Sequence, residues 1–309
     1  MGWLIATAIA MTPILLGGRM AERLATAAWA SRHPRAALVL WQAIGLAGGL
    51  GAIGAGLVAA VTVFPHGLHQ LGHQVVDGRG LAGLGPVRVA ALAWAVVVPA
   101  WLLLHTVRAT VRTVAEQRRQ RLLVDVAAEH RAEHDIYVLP GSSPVAYCVP
   151  GSTARVVLSR GALQLLSERE LAAVLAHERA HARGRHDRVL LPFIALAGAF
   201  PWLPAVRTAR SAVPVLLEMI ADDRACRGRD RLDLARAIVH MITPGSSPVA
   251  AAPGLADAAV VQRVERLLHA RTTTTRWAGA AAYGTAIALM MGPVVVLAAP
   301  IACVVIWPG

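Results

Sequence analysis

Two histidines one helical turn apart constrain this chain most. His177-Glu178-Arg179-Ala180-His181 follows the apolar run Leu171-Ala-Ala-Val-Leu-Ala. Ser167-Glu168-Arg169-Glu170 ahead of it has the form of a capping box, so the pattern predicts a helix over 167–186. On a helix the i, i+4 spacing stacks His177 and His181 on one face, where both imidazoles can reach a single zinc ion. Glu178 then sits beside that ion. There a carboxylate can take a proton from an attacking water acidified by the metal and later hand it to a leaving amine, which is peptide-bond hydrolysis chemistry. The alternative is a charged helix face with two incidental histidines.

A catalytic zinc needs a third protein ligand and an open position. Glu218-Met-Ile-Ala-Asp222 supplies one on a second apolar-periodic stretch, for which a helix over 214–227 is expected after Pro214. In that arrangement Glu218 ligates, and Asp222, one turn on, accepts the outward N–H of a ligating histidine and fixes its tautomer. Ordinary ion pairs are the competing assignments: Glu218 with Arg210 or Arg224, Asp222 with Arg224 or Arg227.

Between the two motifs lies the apolar stretch 189–206. A single crossing of a membrane would leave His177 and Glu218 on opposite faces, and two crossings would need two spans from some 18 residues. With Pro192, Pro201 and Pro204 interrupting it, an interfacial or re-entrant segment close to the membrane surface is expected. Asp187 just before it is expected to anchor the motif helix through an arginine.

A membrane setting follows from composition. Of 309 residues 56% are hydrophobic, and the mean hydropathy of +0.54 exceeds what a soluble core of this size needs. All 30 basic residues are arginine, giving a net charge of +12. Their clustering beside apolar runs, away from any aromatic-studded face, marks topology determinants and argues against direct nucleic-acid binding. Spans are expected at Trp3–Gly18, 37–64, 89–107 and 279–307, the last kinked by Pro293 and Pro300. Arg19, Arg23, Arg32 and Arg35 follow the first, and Arg108, Arg112, Arg118, Arg119 and Arg121 follow the third, so these segments and the metal motifs belong in the cytoplasm and the N-terminus outside. The intervening outer loop carries His66, His69 and His73, read as a polar loop, with external metal binding or pH sensing as the alternative. Cys148, Cys226 and Cys303 lack metal or disulfide spacing.

From Arg108 to about His134 the pattern is an amphipathic helix, followed over 135–159 by short β-branched strands. An edge strand at Val145, Ala146 and Tyr147, running to Val149, is placed either to pair with substrate backbone or to form an ordinary hairpin. Residues 244–257 read as a small-residue linker, and 261–268 as a further helix.

His177-Glu-Arg-Ala-His181 followed by Glu218-x-x-x-Asp222, within several spans, resembles the BlaR/MecR antirepressor family of membrane zinc metallopeptidases and, more distantly, the membrane proteases of the CAAX-prenyl and heat-shock types. The resemblance implies a multi-span α-helical membrane protein with an inserted α+β gluzincin-like zinc metallopeptidase domain on the cytoplasmic side. The expected division is 1–107 for three spans, 108–276 for the zinc domain and 277–309 for a last span. It implies one Zn2+ per chain, surrounding membrane lipid, and a cytoplasmic winged-helix repressor of the BlaI type as the protein substrate. Because the sequence stops at Gly309, no penicillin-binding sensor domain is expected. Arg263 resembles an arginine that stabilises the reacting carbonyl in such proteases, although a surface arginine is the simpler expectation. A housekeeping membrane-protein protease, or a signalling scaffold with a vestigial zinc site, are the other functions compatible with this pattern.

Overall fold

The computed structural model describes residues 17–63, 86–151, 153–242, 253–269 and 276–306. The expected first span up to residue 16, the loop with His66, His69 and His73, and most of the 244–257 linker lie outside the described residues.

Helix α1 covers 17–26, followed by α2 (Ala28–Arg32), α3 (Pro34–Val63) and α4 (Pro86–Ala127). A four-stranded sheet follows: β1 (Glu129–Arg131), β2 (Ile136–Leu139), β3 (Ala146–Val149) and β4 (Arg155–Ser159). Then come α5 (Arg160–Leu165), α6 (Glu168–Gly184), α7 (His186–Ala199), α8 (Pro204–Ala225), α9 (Arg231–Met241), α10 (Pro253–Leu268) and α11 (Arg276–Ile306). Three described segments are long and apolar enough to cross a membrane: Pro34–Val58, Val89–Ala127 and Trp277–Leu297. Val96, Val97 and Leu103 on α4 and Ile287 on α11 point away from the rest of the chain, as lipid-facing side chains do.

The first turns of α3 do not stand apart from the remainder. Leu40, Trp41 and Ile44 pack with Phe193 of α7, Val213, Leu216, Leu217 and Ile220 of α8, and Ala282 and Ala286 of α11. One apolar cluster thus welds two membrane-length helices to the helices that follow the metal motif.

The sheet order is β1-β2-β4-β3. Strands β2 and β4 are parallel, and the other two pairings are antiparallel. Period-2 alternation gives the sheet two buried faces. Ile136, Val138, Val156 and Leu158 pack with Leu175 of α6, while Val149 and Val157 pack with Val124 of α4. Arg121 of α4 donates to the carbonyls of Pro150, at 2.9 Å, and Thr153, and Arg155 pairs with Asp125. Gly161 has no substitute, since a Cβ there would stand 2.0 Å from Ser142 O.

Several boundaries differ from expectation. The amphipathic continuation of the third span is one helix with it and ends at Ala127; residues 129–131, assigned to that helix, form β1. Their exposed Glu-His-Arg sequence carries no strand alternation, and pairing with β2 alone sets their conformation. The second motif helix starts at Pro204, ten residues before Pro214, which lies inside it. Both prolines offer the same N1 signal, and burial of Ala209 and Val213 favours the longer helix. Linker residues from Pro253 onward belong to α10, and the last apolar stretch is helical from Arg276 to Ile306 with Pro293 and Pro300 included. Asp187 is held by Gln117 Nε2 at 3.1 Å, the counterpart in place of the expected arginine.

The 189–206 stretch forms most of α7, the turn 200–203 and the start of α8. At 14 residues, α7 is about 21 Å long, short of the roughly 30 Å of a hydrocarbon core. It packs beside the spans, with Leu196 against Gly45 and Trp101 Nε1 donating to Ala199 O at 3.2 Å. The chain then turns back into α8, which returns Glu218 to α6.

Candidate active site

Helix α6 begins in a reciprocal cap. The Ser167 hydroxyl accepts from Glu170 N, and Glu170 Oε2 accepts from Ser167 N at 2.9 Å. This fixes the helix start and therefore the phase of the residues behind it. Leu175 and Val174 enter separate apolar clusters, so the face carrying His177 and His181 turns towards α8.

His177, His181 and Glu218 converge. His177 Nε2 lies 3.0 Å from His181 Nε2 and 3.3 Å from Glu218 Oε2, and His181 Nε2 lies 3.4 Å from Glu218 Oε1. A tetrahedral zinc with ligand bonds of about 2.0–2.1 Å has donor–donor edges of about 3.3 Å, so the spacing of these atoms fits that ion. The donor set of two imidazoles and one carboxylate is that of a catalytic zinc site with a position left open. Among the described residues this is the group of His, Cys, Asp and Glu that could hold a metal.

Behind the donors lies a buried ionic layer. Asp222 is fully buried, and its Oδ1 lies 2.9 Å from His177 Nδ1. Arg263 of α10 donates to both Asp222 oxygens, Nε to Oδ2 at 2.9 Å and Nη2 to Oδ1 at 2.8 Å, and its Nη1 lies 3.0 Å from Glu218 Oε2. The surface position expected for Arg263 is thereby corrected: its side chain is 13% exposed and holds both carboxylates of the second motif. The competing assignment, pairing of Glu218 and Asp222 with Arg210, Arg224 or Arg227, gives way to this arginine.

Charge in the cluster favours a cation. Burial opposes charge on His177, but its hydrogen bonds to the Asp222 and Glu218 carboxylates raise its pKa to about 10. Burial likewise works against ionised Asp222, yet Arg263 and His177 bring its carboxyl down to about 2. Glu218 is held well below the usual carboxylate range, burial being outweighed by the two histidines and Arg263. Glu178 goes the other way. Burial, with Glu218 adding to it, raises its pKa, the direction required of a carboxyl that must receive a proton.

One residue at the site escaped the sequence reading. His186 is buried, and its Nδ1 lies 2.8 Å from His181 Nδ1. It gets there because Arg185 adopts a left-handed conformation (φ 45°) that ends α6 and turns the chain sharply into α7. Gly184 makes room, since a Cβ there would stand 2.3 Å from His186 Nε2 and Arg224 Nη1. Burial, followed by the neighbouring His181 and Arg224, lowers the His186 pKa to about 4, so it is neutral. An i+5 spacing carries no signal for this contact.

Strand β3 is an edge of the sheet and packs against α6. Ala146 and Tyr147 lie in it, while Val145 stands just ahead and accepts from Ser159 N at 2.9 Å. Cys148 of β3 is close enough to Glu178 to feel its charge; burial and that carboxylate push the thiol up to about 12, which makes it a poor nucleophile. Cys148 and Cys226 are free thiols.

Residues 113–222 match the sequence model of peptidase family M48. The matched stretch runs from α4 through the sheet and α6 to Asp222 in α8, and this likeness supports a metallopeptidase. Over 71 residues it is 39% identical to the Protease HtpX homolog of Aquifex aeolicus (strain VF5), an alignment covering 22% of this chain and 23% of that protein. The chain thus spans less than a quarter of the length of the curated relative it matches. No solved structure matches it significantly.

Proposed function

We propose that this protein is a membrane-embedded zinc endopeptidase. The observation that carries the proposal is the convergence of His177 Nε2, His181 Nε2 and the Glu218 carboxylate within hydrogen-bonding distance, with a half-buried Glu178 of raised pKa on the helix of the two histidines. A zinc ion held by these three residues would supply Lewis acidity, bringing the pKa of a water towards about 7 and polarising the scissile carbonyl. The chain's own groups do the remainder. Glu178 receives the proton of the attacking water on its carboxylate, where its raised pKa helps hold it, and delivers it to the departing amine. Asp222 holds His177 through Nδ1, which leaves Nε2 as the donor atom, and Arg263 keeps Asp222 and Glu218 ionised and in place. We assign Arg263 to positioning, since three of its nitrogens are already engaged by carboxylates.

Substrate is assigned to the free edge of β3. A peptide added there as a further strand runs past Cys148, beside Glu178, so backbone pairing presents a scissile bond to the carboxylate with little demand on sequence. We place the site at the cytoplasmic membrane surface on the arginine asymmetry of the loops. For the substrate itself we propose membrane or cytoplasmic protein turnover. The likeness to a relative described as a protease supports this breadth. Cleavage of a BlaI-type repressor is a narrower form of the same activity and rests on the BlaR/MecR resemblance of the two motifs.

The deciding experiment is Glu178→Gln in purified full-length protein, with zinc content and cleavage of an unfolded casein-type substrate measured together. Retained zinc with cleavage reduced by at least about 100-fold fits a residue that only moves the proton. Near wild-type cleavage would falsify the mechanism. A preparation with no zinc under non-chelating conditions would favour a scaffold with a vestigial site.

A further inference from the structure

Away from the metal motif, a cavity of about 500 Å³ opens where α2, α3, α8 and α11 meet. Four arginines line it, Arg32 and Arg35 from the α2–α3 junction, Arg227 just after α8, and Arg231 at the start of α9, against the single carboxylate of Asp223. That carboxylate is already committed. Asp223 Oδ2 accepts from Arg266 Nη2 at 2.6 Å, and its Oδ1 lies 3.7 Å from Arg231. Arg32, Arg35 and Arg227 have no ion pair among the described residues, and the crowding reaches further: burial, then Arg35 and Arg227, lower the pKa of neighbouring Arg224. Like charges gathered around one cavity repel, and a folded protein keeps such an arrangement at a cost unless an anion neutralises it.

The position of the cavity says which anion. Its walls include Pro34 and Ala36, the first residues of one membrane-length helix, and Gly279 and Tyr283, from the first two turns of another. Trp277 beside it is 80% exposed, an aromatic at the level where a span leaves the lipid. A basic cavity between the ends of two spans, at headgroup height, suits the phosphate of an anionic lipid, with acyl chains running down the apolar outer faces. We propose that this cavity binds the phosphate-bearing headgroup of an anionic phospholipid.

Binding there has a path to the metal motif. Asp223 adjoins Asp222 in α8, and Arg266, which grips Asp223, lies one turn from Arg263 in α10. Arg266 also donates to Ser31 O at 2.6 Å and Met219 O at 3.3 Å, tying the cavity wall to the helix that carries Glu218. A headgroup that steadies this corner steadies the carboxylate layer behind the zinc ligands.

The test is independent of proteolysis. Full-length protein is placed in nanodiscs of phosphatidylcholine alone or with 20% phosphatidylglycerol, and retained lipid and thermal midpoint are read. A parallel arm gives the phosphatidylcholine sample inorganic phosphate instead. The expected result is retention of phosphatidylglycerol with a raised midpoint, and little response to phosphate alone. Arg35→Gln/Arg227→Gln, both at exposed positions, should weaken retention by about thirty-fold, each arginine near an anionic surface being worth about fivefold. A charge-matched control, Arg118→Gln/Arg119→Gln on α4, should retain the lipid. Equal retention by the two double variants, or full stabilisation by phosphate without anionic lipid, overturns the proposal. Should Arg35→Gln/Arg227→Gln fail to fold, competition between phosphatidylglycerol and phosphatidylcholine on the wild type decides: no preference for the anionic lipid overturns it.

Discussion

His181 and His186 face each other through their Nδ1 atoms at 2.8 Å, with ring planes at 82°. Two neutral imidazoles in that contact must divide the roles, one donating and one accepting. When His181 offers Nε2 to a metal, its proton sits on Nδ1 and His186 Nδ1 accepts, which puts the His186 proton on Nε2. Arg224 then keeps its bond to Ala180 O at 3.2 Å and makes none with His186, from which it stands 3.4 Å away. In the other tautomer Arg224 donates to His186 Nε2, and the His181 Nε2 lone pair is lost to a proton. Both tautomers satisfy the contact; with a metal on His181 Nε2, His186 is the acceptor that holds the His181 ring through its Nδ1–H.

His186→Ala should accordingly weaken zinc affinity by about 10-fold or more, the usual scale for loss of a group that orients a ligating histidine. His186→Gln, which keeps a side-chain acceptor, should recover part of it. Competition with a chromogenic chelator reads both. Equal affinities for wild type and the alanine variant would show that His186 merely fills space.

A second expectation concerns Arg263. Its fork on Asp222 neutralises a carboxylate with no exposure to solvent. Arg263→Met leaves that charge with only His177 beside it, which should cost about 3 kcal/mol of stability. Arg263→Lys keeps a positive charge but cannot span both oxygens and should fall in between. Thermal unfolding of the detergent-solubilised protein orders the three. A methionine variant as stable as the wild type would mean that the ionic layer contributes specificity alone.

These residues show where sequence reading succeeds and stops. His177, Glu178 and His181 were legible because spacing, capping box and apolar phase are all local and all agree. The Glu218 helix was legible in kind, but its start was not, because Pro204 and Pro214 carry one and the same signal and tertiary burial of Val213 chooses between them. The need of Asp222 for a cation could be argued from chemistry, yet the partner stands 41 residues away on a helix with two arginines. His186 depended on one left-handed residue, and β1 on pairing that only the folded sheet supplies.

Ligation and support should separate in a third comparison. Glu218→Ala removes a donor and should lower zinc occupancy outright, whereas Asp222→Asn leaves all three donors and should weaken affinity by roughly 10–100-fold. Because metal that binds the folded state stabilises it, chelation should lower the thermal midpoint of the wild type and barely move that of Glu218→Ala. A Glu218→Ala protein with full zinc would assign the third ligand elsewhere.

The last expectation is topological. α4 is tied to the sheet by Arg121, and residue 228 follows directly on the helix carrying Glu218, so positions 121 and 228 share the side of the metal motif whatever the orientation in the membrane. The apolar helix Pro34–Val63 leads away from that side at about 1.5 Å per residue, roughly 45 Å in all, enough to cross a bilayer. Residues 66–80, between this helix and α4, then belong on the opposite face. Arginine placement selects the orientation: four arginines over 19–36 and five over 108–121, against one over 65–87. Reporters fused after Arg121 and near Gly228 should therefore both register the cytoplasm, and cysteine labelling within 66–80 should succeed from outside intact cells. Labelling of 66–80 only after lysis, with 121 and 228 unchanged, would remove Pro34–Val63 as a span and leave this helix lying along the membrane surface.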